Sequence, residues 1–445
     1  MKVLAALTIF LGSCLLFLVQ PMIGNLLLPF FGGTAGVWVV CLCSFQALLV
    51  LGYLYAHVVG EWAGACSPWR WIHPVLLVGA AGVLHFSGGI VPSVIAVAVL
   101  YTVVGANAAL VQRLMASDRA TYRLYALSNV GSFVGLLVFP FAVEPLLPTS
   151  VQLRAYAGGV WAYAVLLGVL MACVVRRTDG GGPARSVFGV MSGIGWKEAF
   201  PWFCLSAVSC LVLDGLTAHL CNDVAPLPLL WCGLLAIYLL AWSLAFNETG
   251  ARIGRWCGPA ILVCLLLQIL HYNVSGGIDY VFELVVGAAM LLFGCWHVHA
   301  LLYHRRPDVS KLTGYYFVIA LGGAAGGLIA TLAVPMAFCF VAEYPIAQIA
   351  LLGVVLWDGL ARFRAMKGVV ADTSSAGEFV RSPRMSYAVA GAFALSALFM
   401  WRLSQGSSGY LLARARNFYG TTRIASYNPG GCCSPISTGR TGPCS

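Results

Sequence analysis

Charged side chains are scarce in this chain. Asp, Glu, Lys and Arg make up 9% of the 445 residues, whereas a soluble domain carries about 25%. Hydrophobic residues make up 60%, and the mean hydropathy is +0.90. A soluble fold of this composition would expose a large apolar surface to water, which excludes that class. A lipid bilayer is the solvent that accepts such a chain.

The sequence also lacks the patterns of a metal or cofactor site. It has 16 cysteines but no Cys-x-x-Cys pair, and most lie inside apolar runs, where cysteine acts as a small hydrophobe. His297 and His299 are two residues apart, so on a helix they point about 200° away from each other. We therefore expect no metal and no cofactor, and we find no catalytic residues.

Basic residues form no single patch, although the net charge is +10. They lie in short loops between apolar runs, so we expect the bilayer, and not nucleic acid, as partner. Cytoplasmic loops hold the excess of Lys and Arg. With the N-terminus inside, only Arg154 falls on the outer side before residue 386. This predicts a multi-pass protein of the inner (plasma) membrane with a cytoplasmic N-terminus.

Long apolar runs predict an all-α integral membrane protein with 12–13 transmembrane helices, since a span needs about 20 apolar residues. The apolar run at the N-terminus continues to Phe31, which indicates an uncleaved first helix. The expected helices lie near 3–29, 35–58, 72–87, 90–112, 124–142, 152–175, 200–220, 227–246, 257–272, 280–302, 314–340, 345–361 and 386–402.

The chain contains an internal repeat. Leu18 to Trp38 aligns without gaps on Leu211 to Trp231, and a later segment repeats Gly131 and Gly135 as Gly322 and Gly326. With six spans in each half, the repeats are parallel, as in major facilitator transporters. We expect one six-helix repeat at 1–195 and the other at 196–365. The glycine pairs predict close helix packing.

Several strings together resemble one family. They are Gln20-Pro21-Met22-Ile23-Gly24, Leu28-Pro29-Phe30-Phe31-Gly32-Gly33, Gln46-Ala47-Leu48-Leu49, Gly52-Tyr53-Leu54-Tyr55-Ala56-His57, Tyr122-Arg123-Leu124-Tyr125-Ala126-Leu127-Ser128-Asn129, Asp223-Val224-Ala225-Pro226 and Glu343-Tyr344-Pro345. The combination resembles the membrane part of fused major-facilitator/spermidine-synthase-like proteins of bacteria, over about residues 1–420.

The resemblance implies a soluble synthase-like domain after the membrane part. Arg416-Asn417-Phe418-Tyr419-Gly420 looks like the entry to that domain, but the pattern then stops. We expect a cytoplasmic loop and a thirteenth helix at 366–420, and a disordered or truncated tail at 421–445. The aminopropyl-transfer chemistry that the family's soluble domain implies is therefore not expected of this chain, which we do not expect to be an enzyme.

Polar residues within apolar spans are costly, so they mark candidate sites. The substrate-binding candidates are Asp214, His219, Asp223, Gln20 and Asn25, and the gating or packing candidates are Glu144, Glu343, Gln112 and Asn129. The first set would bind a ligand between the halves or form buried hydrogen bonds that lock them. Glu144 and Glu343, placed at matching helix ends, would be caps at a membrane surface.

Two functions remain open at this stage. A transporter-like or solute-binding protein would take a small polar or cationic solute, and the family's name suggests a polyamine. A membrane anchor or scaffold would instead serve a soluble domain of the spermidine-synthase-like type. The sequence leaves the oligomeric state open.

Overall fold

The computed structural model describes residues 2–31, 35–62, 72–86, 88–114, 118–178, 194–222, 228–275, 280–308, 311–372, 391, 411–417 and 420–425. Twelve long helices, α1 to α12, form the membrane body of this described part. Each lies over one of the first twelve apolar runs, although some helix ends differ. The last helix, Glu343–Asp372, is longer than its run, and the helix Leu312–Leu328 is shorter than its run. The predicted span at 386–402 lies outside the described residues except for Gly391.

The first half contains six of these helices. They are α1 (Lys2–Phe31), α2 (Ala35–Trp62), α3 (Ile72–Phe86), α4 (Ile90–Leu114), α5 (Asp118–Val138) and α6 (Thr149–Thr178). A π-helical turn, Phe139–Val143, and a short helix, Glu144–Leu146, extend α5. The extension ends at Leu147, whose backbone is extended. Leu147 precedes Pro148, and a residue before proline avoids helical geometry.

The second half follows the same order. Its helices are α7 (Trp196–Asn222), α8 (Pro228–Ala245), α9 (Gly258–Ser275), α10 (Tyr280–His304), α11 (Leu312–Leu328) and α12 (Glu343–Asp372). A short helix, Glu248–Gly254, follows α8 after a bend of 115°. Asn247 caps it, because its side-chain oxygen accepts a hydrogen bond from the backbone N–H of Gly250 at 2.7 Å.

Helix lengths agree with a membrane-spanning body. Eight described helices are long and apolar enough to cross a bilayer, and the bent pair at Leu229–Gly254 would make a ninth. Three shorter apolar helices, Val40–Ala56, Ile72–Phe86 and Gly258–His271, complete the twelve. The expected all-helical membrane class is thereby confirmed for the described membrane body.

Glycine contacts confirm the two-repeat architecture. In the first half, a Cβ atom at Gly131 would lie 2.5 Å from the carbonyl oxygen of Phe10, and one at Gly135 would overlap the carbonyl of Cys14. In the second half, Gly322 meets Phe203 and Gly326 meets Ala207 in the same way. Phe10 and Cys14 precede these partners by the same offset that separates Trp38 from Trp231. The glycines therefore bring α5 against α1 and α11 against α7. The close packing was predicted, but the partner helices were not.

The two halves meet through equivalent helices. α2 packs on α11, and its counterpart α8 packs on α5. Trp38 of α2 and Trp231 of α8 meet between the halves, and both side chains are fully buried. The contacts between the halves are thus symmetric, because each of these helix pairs has its equivalent in the other pair.

A π-helical turn interrupts the fifth helix of each half. Phe139–Val143 follows α5, and Ile329–Ala333 follows α11, with the short helix Val334–Ala337 after it. Such turns are rare and occur frequently at functional sites. The sequence did not predict them.

One β-hairpin follows the membrane body. Strand β1 (Leu411–Asn417) pairs antiparallel with β2 (Gly420–Ala425). The sequence did not predict this hairpin, and β2 covers the beginning of the segment expected to be a disordered tail. Residues 426–445 lie outside the described part.

Candidate functional site

A cavity lies between the two halves. Its volume is about 190 Å³, which corresponds to on the order of six liquid water molecules. Seven helices form its wall: α1, α2, α4 and α5 from the first half, and α7, α8 and α11 from the second. The wall is therefore built by both repeats, at the surface where they contact each other.

Polar groups of the first half line one side of the cavity. Gln20 of α1 is buried and donates a hydrogen bond from its Nε2 to the hydroxyl of Tyr101 at 3.0 Å. Ser13 and Ser128 share a hydrogen bond of 2.7 Å. Asn129 is buried on α5, and its Nδ2 has no hydrogen-bond partner among the described residues. Gln20 and Asn129, both named from the sequence, thus face the same cavity.

Aromatic rings form much of the remaining wall. Tyr53 of α2 and Tyr316 of α11 stack across the two halves with ring centroids 6.1 Å apart. Phe45 packs on Tyr101 with a centroid separation of 4.7 Å. None of the described residues that line the cavity is Asp, Glu, Lys, Arg or His. The wall is accordingly uncharged, with amides and hydroxyls between aromatic rings.

Asp214 lies one layer behind this wall. It is fully buried on α7. Cys210 and Leu213, on the same helix, line the cavity, and α11 packs against the carboxylate at Gly327. Gln46 of α2, which also lines the cavity, donates a long hydrogen bond of 3.4 Å from Nε2 to Oδ2 of Asp214. Oδ1 of Asp214 has no hydrogen-bond partner in the described part of the chain.

Other predicted residues lie away from the cavity or outside the described part. Asn25 is half-buried on α1 and does not line the cavity. Asp223 lies outside the described residues, and so does the side chain of Gln112. These three residues therefore remain sequence predictions.

Glu144 and Glu343 do not occupy matching positions. Glu144 is exposed and follows the π-helical turn, before the break at Leu147. Glu343 is buried and begins α12, after the corresponding break at Phe338. The prediction that these two glutamates lie at matching helix ends is therefore wrong. More residues separate α11 from α12 than separate α5 from α6, and they shift the second half relative to the first.

His219 belongs to a second buried polar cluster, in the second half alone. Its Nε2 lies 3.7 Å from Oε2 of Glu283, and its ring stacks on Tyr344 at 5.3 Å. Gln268 donates from Nε2 to Glu283 at 3.0 Å, and its Oε1 accepts from Gln348 at 2.8 Å. The cluster joins α7, α9, α10 and α12 and is separate from the central cavity.

An ion cluster lies at the other end of the second half. Asp358 of α12 is buried between Arg255, at 3.3 Å, and Arg362, whose Nε donates to it at 2.7 Å. Arg305, just beyond α10, lies over the ring of Trp357 at 4.2 Å. Burial lowers the pKa of Arg305. This cluster connects Arg255, which follows the short helix Glu248–Gly254, to α12.

Sequence reasoning missed Gln46, Gln268 and Glu283. Gln46 was noted only as part of a family string, and neither Gln268 nor Glu283 was singled out as a polar residue within a span. The cost of burying an amide or carboxylate in hydrocarbon is the signal that would have found all three.

Comparisons with known proteins give a likeness in structure but none in sequence. No protein-family model and no curated protein matches this sequence. Among solved structures, the chain is similar to the human organic anion transporter MFSD10 (TETRAN), with a TM-score of 0.49 and 14% sequence identity. That likeness covers 81% of this chain and 97% of the human chain.

Proposed function

We propose that this protein carries a small polar solute across the membrane by exposing the central cavity to each side in turn. The observation that supports this is the cavity of about 190 Å³ between the two repeats. Its amides and hydroxyls would replace the solute's water, and its aromatic rings would contact apolar parts. The equivalent contacts α2–α11 and α8–α5 supply two similar surfaces about which the halves would rock.

The same proposal places the protein in the inner membrane with the N-terminus in the cytoplasm. The distribution of Lys and Arg among the loops supports this orientation. The family strings support membership of the major-facilitator/spermidine-synthase-like group. A polyamine, the solute that this family's name suggests, belongs in the panel that tests transport.

Uptake by purified protein in liposomes tests the proposal. The panel contains a radiolabelled amino acid, a sugar, a carboxylate and spermidine. Ala324→Trp fills the cavity, because Ala324 is buried in its wall. Val165→Trp adds the same side chain where 68% of the residue is exposed, on α6, and serves as the control.

We expect uptake of at least one solute above that of empty liposomes. Ala324→Trp should abolish the uptake and Val165→Trp should retain it. Uptake that survives Ala324→Trp, or folded protein that takes up no member of the panel, would contradict transport through this cavity.

A second candidate function is that of a membrane anchor. The hairpin at Leu411–Ala425 supports it, since β1 contains Arg416, where the string that resembles the entry to the family's soluble domain begins. The genomic sequence beyond the codon for Gly420 tests this candidate. A downstream frame for a methyltransferase-like domain would favour an anchor, and its absence would favour the transporter.

A further inference from the structure

We infer that the central cavity takes a small organic cation and that Asp214 recognises its charge from behind Gln46, whose side chain moves aside on binding. This inference rests on the proposed transport function and adds two things to it. One is the charge of the solute, and the other is a residue that covers the charged group while the cavity is empty.

The carboxylate of Asp214 is buried with few hydrogen bonds. Asp214 has no exposed surface, and its Oδ1 lacks a hydrogen-bond partner among the described residues. The bond that Oδ2 accepts from Gln46 measures 3.4 Å, beyond the usual 2.7–3.2 Å. A buried carboxylate is costly unless it is paired and hydrogen-bonded. Asp214 is therefore incompletely satisfied and would gain from a cationic partner.

Cationic side chains are scarce on the helices around Asp214. Asp214 is surrounded by α7, α2 and α11. The sequences of α2 and α11 contain no Lys or Arg, and α7 contains only Lys197, in its first turn. No described residue of the cavity wall is cationic. A cation that pairs with Asp214 would thus enter as the solute.

Gln46 separates Asp214 from the cavity. It lines the cavity and contacts the carboxylate, and its Oε1 also has no hydrogen-bond partner in the described structure. Gly327 of α11 makes room for it, because a Cβ atom there would overlap Oε1 of Gln46 and lie 3.1 Å from Oδ2 of Asp214. Among the described residues, one long hydrogen bond holds the amide. Rotation of the Gln46 side chain would break that bond and uncover the carboxylate.

The aromatic wall fits the organic part of the solute. Tyr53 and Tyr316 come from opposite halves, and Phe45 and Tyr101 lie beside Gln46 and Gln20. Faces of aromatic rings attract cations, and quaternary ammonium groups are bound in this way. A cavity of about 190 Å³ limits the solute to a small molecule.

Binding of three solutes of one shape tests the charge. The probes are choline, its neutral carbon analogue 3,3-dimethylbutan-1-ol, and the anion 3,3-dimethylbutanoate. Calorimetry and the melting temperature of the full chain in detergent report binding. We expect choline to bind at least tenfold more tightly than either analogue. Equal affinities, or a preference for the anion, would overturn the inference.

Variants at the two residues test their separate roles. Asp214→Asn should reduce the preference for choline to less than twofold. Gln46→Ala should keep the preference and tighten choline binding, because the carboxylate is then uncovered. If Asp214→Asn keeps the preference for choline over its two analogues, Asp214 is not part of the site. Loss of preference in Gln46→Ala would make Gln46 a ligand instead of a cover.

A second pair of variants keeps the test valid if Asp214→Asn fails to fold. Gln46→Lys places an ammonium beside Asp214, so it should raise the melting temperature and abolish choline binding. Gln46→Met has similar length without charge and should do neither. Equal melting temperatures and equal choline binding in the two variants would count against a carboxylate that awaits a cation.

Transport by the same protein separates the two proposals. Charge-independent uptake that Ala324→Trp abolishes would uphold transport and reject the cation. Binding of choline that depends on Asp214, without uptake of any solute, would uphold the cation site and reject transport.

Discussion

The indole rings of Trp38 and Trp231 lie with their centroids 5.0 Å apart and their planes tilted by 34°. These residues occupy the same position in the two repeats, so each half presents the same side chain to the other. Both are completely enclosed. The contact therefore lies at the symmetric junction of the halves and holds one against the other.

Replacement of either tryptophan by alanine should destabilise the protein by about 3 kcal/mol, because a large buried side chain is lost. The double variant should lose less than the sum, with a coupling of about 1 kcal/mol from the ring pair. Reversible unfolding in mixed micelles measures these values. Trp196→Ala, at a residue 76% exposed, is the matched control, and additive losses would mean that the rings do not interact.

Equivalent glycines should respond alike in the two halves. Gly135→Ala and Gly326→Ala each drive a methyl group into a backbone carbonyl of the neighbouring helix. We expect each to cost at least about 2 kcal/mol, since backbone cannot shift as a side chain does. Gly168→Ala is the control, because a Cβ there meets nothing within 4 Å. Thermal melting that shows no difference among the three variants would contradict the packing described.

Asp358→Asn should be strongly destabilising. The carboxylate is buried between two arginines, and removal of one partner from a buried ion pair costs about 3–5 kcal/mol. Glu198→Gln is the control, because its pair with Lys311 is partly exposed and surface pairs contribute about 0–1 kcal/mol. The free energy of unfolding of both variants tests this, and similar losses would refute the structural role of Asp358.

Reporter fusions should reveal the orientation of the body. Fusions after Arg177 and Arg306 should report the cytoplasm, and those near Gly88 and Gly276 the outside, since basic loops stay inside. An enzyme reporter that is active only outside, paired with one active only inside, measures each site twice. A reversed signal at any of the four positions would break the proposed topology.

The sequence predicted the helices well because a membrane span is encoded locally. An apolar run such as Tyr280–His304 is readable from its own residues. The glycine pairs were also predictable, because Gly131 and Gly135 recur as Gly322 and Gly326 at the same spacing. The π-helical turns were not, since Phe139–Val143 differs from ordinary helix only in backbone hydrogen bonds.

The candidate site was only partly predictable for a different reason. Asp214, Gln20 and Asn129 stood out as polar residues within or beside apolar runs. The pairing of Asp214 with Gln46 joins residues on α7 and α2, and no local pattern specifies which helices meet. His219 was grouped with Asp214 because they share a helix, yet its contacts are Glu283 and Tyr344, on other helices.

The glycine run of α11 has a consequence for genetics. Gly322 and Gly326 admit α7, Gly323 faces the cavity and Cys210, and Gly327 admits Gln46. Four glycines within six residues therefore each lie against a different residue of a neighbouring helix. Every single-base change that replaces a glycine by another residue adds a side chain at that contact. In a random mutagenesis screen, loss-of-function alleles should therefore concentrate in these six codons. Substitutions at Gly353 and Gly359, which face open space, should leave function unchanged.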